Sequence, residues 1–342
     1  MGRAKLEYTP DQVDAAGRAL LSPSVPDQEL DEALKVIGNW RACHSHPLLT
    51  FRVGLERRAQ RLYDKSFVVQ RLKRLSSIKS KLQRKDDLTL SMMQDIAGCR
   101  AVLKNAFQVK ELVQLYKISD VKHKLERIDD YIEQPKYSGY RGTHLIYSYF
   151  SDKNETYNGL KIELQLRSPL QHAWATAVET VDRFTLQALK SGRGNHRWRR
   201  FFVYMSGYIA LRESCNGVPN TPTDRKQLKE AIRRYADKLN VEDRLEGFRA
   251  ALRITEEPRM DFGPGFFLIQ LDADKRNTRM WGYQMNQLAE ANDHYLKLEL
   301  QGGKGKDQVL VSSDSIAQLK RAYPNYFGDT AIFLRQLAHA LR

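Results

Sequence analysis

The feature that most constrains this chain is a strictly alternating stretch at residues 160–167, LKIELQLR. Its apolar residues are Leu160, Ile162, Leu164 and Leu166, and they alternate with Lys161, Glu163, Gln165 and Arg167. A period of two places alternate side chains on opposite faces of a strand. Ser168-Pro169 then begins a helix, which we expect over residues 170–190. The stretch therefore predicts a half-buried strand whose polar face presents Glu163, Gln165 and Arg167.

Other segments predict a mixed architecture. Helical spacing fills the first seventy residues, and we interpret residues 51–72 as helix, whereas residues 99–103 and 144–150 are typical of strands. The fold class expected is α+β, a mixed sheet with flanking helices. A chain of 342 residues suits about two domains. The Gly- and Pro-containing segment 216–223 is the best linker, so we predict one domain over 1–215 and a small α+β domain over 221–342.

The charge balance indicates polyanionic partners. Lysine and arginine total 56 against 41 acidic residues, a formal net charge of +15. Such an excess favours nucleotides or RNA as partners. The three cysteines, Cys43, Cys99 and Cys215, are too far apart for a zinc ribbon or a disulfide framework. No apolar run approaches the roughly 18 residues of a membrane span, so we expect a cytoplasmic protein without a membrane partner.

Two segments could hold phosphate and a metal ion. In residues 71–85, Arg71, Lys73 and Lys81 surround a serine pair, and such cations can pair with phosphate oxygens, although a solvated basic helix would look the same. Asp95 opens an apolar strand, where it is either a cap or a ligand of Mg²⁺, which takes one or two carboxylates plus substrate phosphates. The residues alone leave both alternatives open.

Two further segments complete the constellation. The loop at residues 130–144 combines Lys136, Tyr140 and His144, which suits nucleotide binding by stacking and charge, although a hairpin turn with surface aromatics is as good an interpretation. A single exposed carboxylate indicates little, but Glu163 paired with Asp95 on a neighbouring strand would form a metal site. Two carboxylates ringed by lysines favour Mg²⁺-dependent phosphoryl transfer over acid–base hydrolysis.

The order of these motifs resembles the synthetase domain of RelA/SpoT-type alarmone synthetases over roughly residues 35–215. The motifs are RxKxxxSIxxKxxR, DIAGxR, DYIxxPKxSGYRxxH and IELQLRSxxQHAWA. The resemblance implies a nucleotidyltransferase-like core and an ATP- and Mg²⁺-dependent pyrophosphokinase. Such an enzyme transfers the β,γ-diphosphate of ATP to a ribose 3′-hydroxyl and releases AMP.

The resemblance also implies a role for each matching residue. Asp95 and Glu163 would hold Mg²⁺, and Glu163 would also take the proton of the 3′-hydroxyl. Arg71 would lie at the adenine of ATP. The remaining ATP-binding residues would be Lys73, Ser77, Lys81 and Arg167, and the acceptor-binding residues Lys136, Tyr140, His144 and Gln165, with Tyr140 stacked on the acceptor base.

Two departures concern the acceptor. Asp129 precedes Asp130-Tyr131 where alarmone synthetases commonly have a lysine, and Gly142 stands where many have serine. Both weaken the expectation of a GDP or GTP acceptor. The basic run Arg193, Arg197, Arg199 and Arg200 could instead line an RNA path, or be a solvated face.

The C-terminal segment provides a second resemblance. Tyr323 and Tyr326 form a Tyr-x-x-Tyr pair that is similar to the CapRel type of fused toxin–antitoxin, although tyrosines packed under a helix explain the pair equally well. The resemblance implies pyrophosphorylation of the tRNA CCA end, inhibition by the C-terminal domain, and release by a phage protein, typically a capsid protein. The alternatives are a (p)ppGpp synthetase using GDP or GTP, and a catalytically silent RNA- or partner-binding module.

Overall fold

The computed structural model describes residues 4–185, 189, 195–258, 263–301 and 305–342. The helices are α1 (Pro10–Leu21), α2 (Asp27–Cys43), α3 (Ser45–Leu62), α4 (Leu75–Leu82), α5 (Ala106–Lys117), α6 (Pro169–Thr185), α7 (His196–Arg212), α8 (Arg225–Leu239), α9 (Val241–Ala251), α10 (Leu288–Leu300), α11 (Ile316–Ala322) and α12 (Ala331–Leu341). The strands are β1 (Phe67–Leu72), β2 (Ala97–Val102), β3 (Lys124–Asp130), β4 (Thr143–Ser148), β5 (Lys161–Arg167), β6 (Arg253–Glu256), β7 (Gly265–Asp272), β8 (Asn277–Gln284) and β9 (Lys306–Ser313). Short 3₁₀ turns cover Glu155–Tyr157 and Pro324–Tyr326.

The strands form a nine-stranded sheet in the order β3-β4-β5-β2-β1-β9-β7-β8-β6. The β2–β5 and β6–β8 pairs are parallel, and the other neighbours are antiparallel. The expected α+β class, a mixed sheet with flanking helices, is confirmed. Among the residues that the structure describes, no helix combines the length and apolarity needed to cross a membrane.

Strand β5 lies where the alternating pattern predicts it. Its apolar residues Ile162, Leu164 and Leu166 are fully buried in the core that helices α1 to α5 build on one face of the sheet. The polar face is not open to solvent, because Glu163 and Arg167 are also buried. That face lines a cavity, which places three functional side chains inside the molecule.

The expected helix over residues 51–72 is wrong in its second half. Helix α3 ends at Leu62, and Phe67–Leu72 is strand β1 in the middle of the sheet. Phe67, Val68 and Val69 are buried on both faces of the sheet. Aromatic and β-branched side chains fit such a doubly covered strand, and this burial outweighs the basic, helix-like pattern around it.

The sheet continues from the first half of the chain into the second. Strand β9 pairs with β1 through Gln70 with Ser312 and Arg71 with Val311. The segment 216–223 is the loop between α7 and α8. The division into 1–215 and 221–342 stays a prediction, and the strands of the two parts share one sheet.

The end of the chain packs on the cavity face of the sheet. Helix α11 and the following turn bury Leu319, Tyr323 and Tyr326 against side chains of β1, β7 and β9. Helix α12 then packs among α6, α7 and α8. The Tyr-x-x-Tyr segment is thereby fixed beside the polar face of β5.

Candidate active site

The predicted metal ligands Asp95 and Glu163 line one small cavity of about 20 Å³. Asp95 lies two residues before β2, and Glu163 lies opposite Gly98 in the parallel β2–β5 register. Glycine at position 98 allows the strands to approach closely, because a Cβ there would lie only 3.2 Å from the Glu163 carbonyl oxygen. The sheet therefore brings the two acids together as the sequence predicts.

Two lysines hold the Asp95 carboxylate. Lys73 Nζ donates to Oδ2 and Lys81 Nζ donates to Oδ1, each at 2.7 Å. Burial alone would raise the pKa of Asp95, but the two ammonium groups lower it far below its usual range. Asp95 is thus an anion that pairs with Lys73, directly after β1, and with Lys81 of α4.

Glu163 begins a hydrogen-bonded chain across the polar face. His144 Nδ1 lies 2.9 Å from Glu163 Oε1, and His144 Nε2 lies 2.5 Å from the Tyr140 hydroxyl. Arg167 donates to the same hydroxyl at 3.0 Å. Although burial opposes it, the contact with His144 lowers the pKa of Glu163 to about 2. Glu163 is therefore ionised at neutral pH, and the tyrosine hydroxyl is held away from solvent by two basic groups.

A larger cavity of about 680 Å³ opens on the other side of this chain. Lys136, Tyr140 and Arg199 line it, together with Arg71 and Arg200. Lys136 Nζ lies 3.9 Å from the centre of the Tyr131 ring and 5.4 Å from that of Tyr140. The cavity combines aromatic faces with several cations, which suits an anionic aromatic ligand.

Two further predicted site residues differ in their relation to the cavities, since the residues lining them include Gln165 but not Ser77. Gln165 donates to Glu163 Oε2 at 2.7 Å and contributes to both cavities. Ser77 lies on α4, between the lysine pair that holds Asp95. Arg193 of the basic run lies outside the described residues.

The two tyrosines of the C-terminal pair contact arginines at the site. Tyr323 lines the cavity of Asp95 and Glu163, and its hydroxyl donates to the Gln70 carbonyl at 3.3 Å. The Arg100 guanidinium lies 5.4 Å from the Tyr323 ring centre, and that of Arg183 lies 4.0 Å from the Tyr326 ring centre. The C-terminal half therefore reaches into the site.

Sequence reasoning assigned no role to Arg100 and Arg183. Arg100 follows Asp95 on β2 and points into both cavities, where burial and Arg167 lower its pKa to about 10. Its place in the DIAGxR motif was the available signal. Arg183 lies near the end of α6, and no local pattern distinguishes it from other helical arginines.

The two sequence departures have structural explanations. Arg127 pairs with Asp129 at 2.9 Å, so this acid is neutralised rather than free to repel a phosphate. Asp130 instead accepts from the backbone of Ile132 and caps the turn. Gly142 has a backbone φ of +148°, which residues other than glycine rarely adopt, so serine would be strained at this position.

The donor set fits a magnesium ion. One carboxylate just before β2 and one on β5, next to lysines and arginines that can pair with phosphate, match the ligands that Mg²⁺ takes from a protein and a nucleotide. Among the residues described, no group of three or more acidic, histidine or cysteine side chains forms a complete metal site. The site therefore fits an ion that takes two ligands from these carboxylates and its other ligands from substrate phosphates.

Residues 70–183 match the family model described as a region found in RelA/SpoT proteins. The GTP pyrophosphokinase YwaC of Bacillus subtilis (strain 168) is 31% identical over 111 residues, which is 31% of this chain and 52% of that protein. The chain thus spans about half the length of the curated relative it matches. The RelA/SpoT resemblance is confirmed for this region.

Solved structures of small alarmone synthetases are also similar. Synthetase 1 of Bacillus subtilis bound to pppGpp has a TM-score of 0.40 and 19% identity, covering 60% of this chain and 93% of its own. Synthetase 2 of Bacillus subtilis has a TM-score of 0.41 and 20% identity, covering 61% and 97%.

Proposed function

We propose that this protein is an ATP- and Mg²⁺-dependent 3′-pyrophosphokinase. The observation that carries the proposal is the convergence of Asp95 and Glu163 on one cavity beside Lys73, Lys81 and Arg71. It lies within the region that matches the RelA/SpoT family model, and the curated relative is named a GTP pyrophosphokinase. In the reaction the bond from the β-phosphorus to the α–β bridging oxygen breaks, the acceptor's 3′-oxygen bonds to that phosphorus, and AMP leaves.

The side chains of the site divide this chemistry between them. Asp95 and Glu163 would hold Mg²⁺, which neutralises charge on the phosphate oxygens when bound. Lys73 and Lys81 keep Asp95 ionised and lie ready to pair with phosphate as well. Glu163, ionised and held by His144, is the group placed to accept the proton of the 3′-hydroxyl. Catalysis of this kind depends on positioning and charge more than on covalent help.

The acceptor we propose is the 3′-CCA end of tRNA. Lys136, Arg199 and Arg200 line the larger cavity together with Tyr140, and several cations beside an aromatic ring suit the phosphates and a base of a polynucleotide. Modification of this end would stop translation. The alternative acceptor is GDP or GTP, which the names of the curated relative and of the similar structures favour. A catalytically silent binding module is a weaker alternative because both carboxylates and their lysines are present.

The C-terminal half would inhibit the enzyme. Tyr323 lies between the Gln70 backbone and the Arg100 guanidinium, next to Arg71, which the family resemblance assigns to adenine. A flat ring held against arginine occupies the kind of surface on which the adenine of ATP would stack. By its resemblance to the CapRel type, we propose that a phage capsid protein releases this contact, as part of anti-phage defence.

Transfer of label from γ-³²P-ATP tests the reaction and the acceptor together. The protein and its Tyr323→Ala variant are incubated with Mg²⁺ and either deacylated tRNA or a GDP and GTP mixture. We expect label in tRNA. We expect none in tRNA whose 3′-terminal ribose is oxidised beforehand, because the accepting hydroxyl is then lost. Label in guanosine nucleotides alone would overturn the tRNA assignment, and no label in either acceptor would overturn the enzyme.

A further inference from the structure

An acidic residue of the C-terminal half contacts the first residue of the helix that carries Ser77 and Lys81. Glu299, on α10, accepts the backbone N–H of Leu75 at 2.8 Å, and Leu75 is the first residue of α4. The other oxygen of Glu299 pairs with Arg41 of α2 at 2.7 Å. The side chains of Glu299 and Arg41 are only 3% and 6% exposed. This ion pair is therefore buried and joins α2, α4 and α10.

A second acid of the C-terminal half acts on the same segment. Asp307, on β9, forms ion pairs with both Arg74 and Arg183. Arg74 is the residue immediately before α4 and adjoins Lys73. All of these side chains are at most 16% exposed. Two carboxylates of the C-terminal half thus pair with three arginines of the first part of the chain, and one cationic charge is left in excess.

The chemistry of this helix end is that of an anion site. The first backbone N–H groups of a helix and its dipole attract negative charge, and arginine pairs well with phosphate oxygens. Here Glu299 and Asp307 supply the negative charge from within the chain. The donor's triphosphate would meet Arg74, Lys73 and Lys81 next to these carboxylates, so the acids and the nucleotide would compete for the same positive surface.

We propose that Glu299 and Asp307 form an ionic latch that holds α4 closed against the donor nucleotide, in addition to the contact made by Tyr323. This inference rests on the proposed function, since it concerns binding of ATP. The two carboxylates of the latch take the place of anionic phosphates at the N-terminus of α4. The Tyr323 ring takes the place of a stacked base. Opening the latch frees Arg74 and the α4 N-terminus for the triphosphate.

Binding of a non-hydrolysable ATP analogue to the full chain tests the latch without requiring turnover. The variants are Glu299→Gln and Asp307→Asn, which keep an oxygen acceptor but remove the charge, and Arg41→Gln, which removes the partner from the other half. The matched control is Glu257→Gln, because Glu257 pairs with Lys320 inside the C-terminal half. We expect Glu299→Gln and Asp307→Asn to bind the analogue about fivefold or more tightly than the parent, with the control unchanged, whereas Arg41→Gln, which leaves the Glu299 carboxylate on the Leu75 N–H, should show no such gain.

The outcomes separate a latch from a merely structural ion pair. A lowered melting temperature without any gain in affinity for Glu299→Gln and Asp307→Asn would overturn the latch. If Tyr323→Ala gains affinity while Glu299→Gln and Asp307→Asn do not, the latch fails and the proposed function stands. If no variant binds the analogue at all, the proposed function fails and the latch fails with it.

Discussion

At the residue scale, the proposed diphosphate transfer depends on the groups that bind the Asp95 carboxylate. Both of its oxygens accept from lysine ammonium groups, and Tyr323 and Glu163 line the same small cavity. The lysines occupy the carboxylate in the way that a divalent ion would, so in this arrangement a metal ion must displace or share them. In the proposed diphosphate transfer, Asp95 is therefore the side chain whose charge we expect to matter most.

Replacing Asp95 with asparagine should therefore stop transfer while leaving the fold. We expect Asp95→Asn to lower the rate of diphosphate transfer by about 100-fold or more, because the metal loses one of two carboxylates. The measurement is label transfer in the Tyr323→Ala background, with the exposed Asp87→Asn as control. A variant that retains the parent's rate would show that Asp95 does not hold the metal.

The site residues differ in how far the sequence could predict them. Asp95 lies just before β2 and Glu163 lies on β5, and the motifs together with the alternating pattern are enough to predict that they lie close together. Glu299 and Asp307 could not be predicted, because their partners Arg41 and Arg74 lie more than 200 positions away. A contact between residues so far apart in sequence leaves no periodic or local signal.

At the element scale, the joint between α2 and α3 carries a buried histidine. His44 is 1% exposed, and its Nδ1 bonds the Trp40 carbonyl at 2.7 Å. Burial lowers the pKa of His44 from 6.5 to about 4. Between these two values the unfolded chain binds a proton that the folded chain does not.

Stability should consequently fall as the pH drops from 6.5 to 4. We expect His44 to account for a loss of about 2–3 kcal/mol in the free energy of unfolding over this window. Urea unfolding at several pH values should show a flatter slope for His44→Gln than for the exposed control His196→Gln. Equal slopes for both variants would mean that His44 titrates normally in the folded protein.

The strands also show where sequence patterns succeed and fail. Strand β5 follows from its alternation because only one of its faces is apolar. The sequence of β1 resembles a helix because its residues are buried on both faces and lose the period of two, and because Arg71 and its basic neighbours are typical of an exposed helix. Its position in the sheet is set by pairing with β2 and β9, which lie far away in sequence.

At the scale of the whole molecule, one sheet joins the RelA/SpoT region to the C-terminal half. Strand β1 pairs with β9 through Gln70 and Arg71, and two apolar cores also join the two parts, one among α6, α7, α8 and α12 and one among β1, β7, β9 and α11. Ion pairs cross the same boundary, including Arg52 with Asp314 at 2.7 Å. The two parts are therefore joined by strand pairing, by apolar packing and by ion pairs.

The most direct test of the central claim compares diphosphate transfer from γ-³²P-ATP by the parent, Tyr323→Ala and Tyr323→Phe. We predict that Tyr323→Ala transfers about tenfold faster than the parent, because the ring no longer covers Arg100. Tyr323→Phe should stay near the parent, since the ring remains, and Asp95→Asn combined with Tyr323→Ala should be inactive. A folded Tyr323→Ala that is no faster than the parent, or label transfer that survives loss of Asp95, would contradict an enzyme held closed by its own C-terminal half.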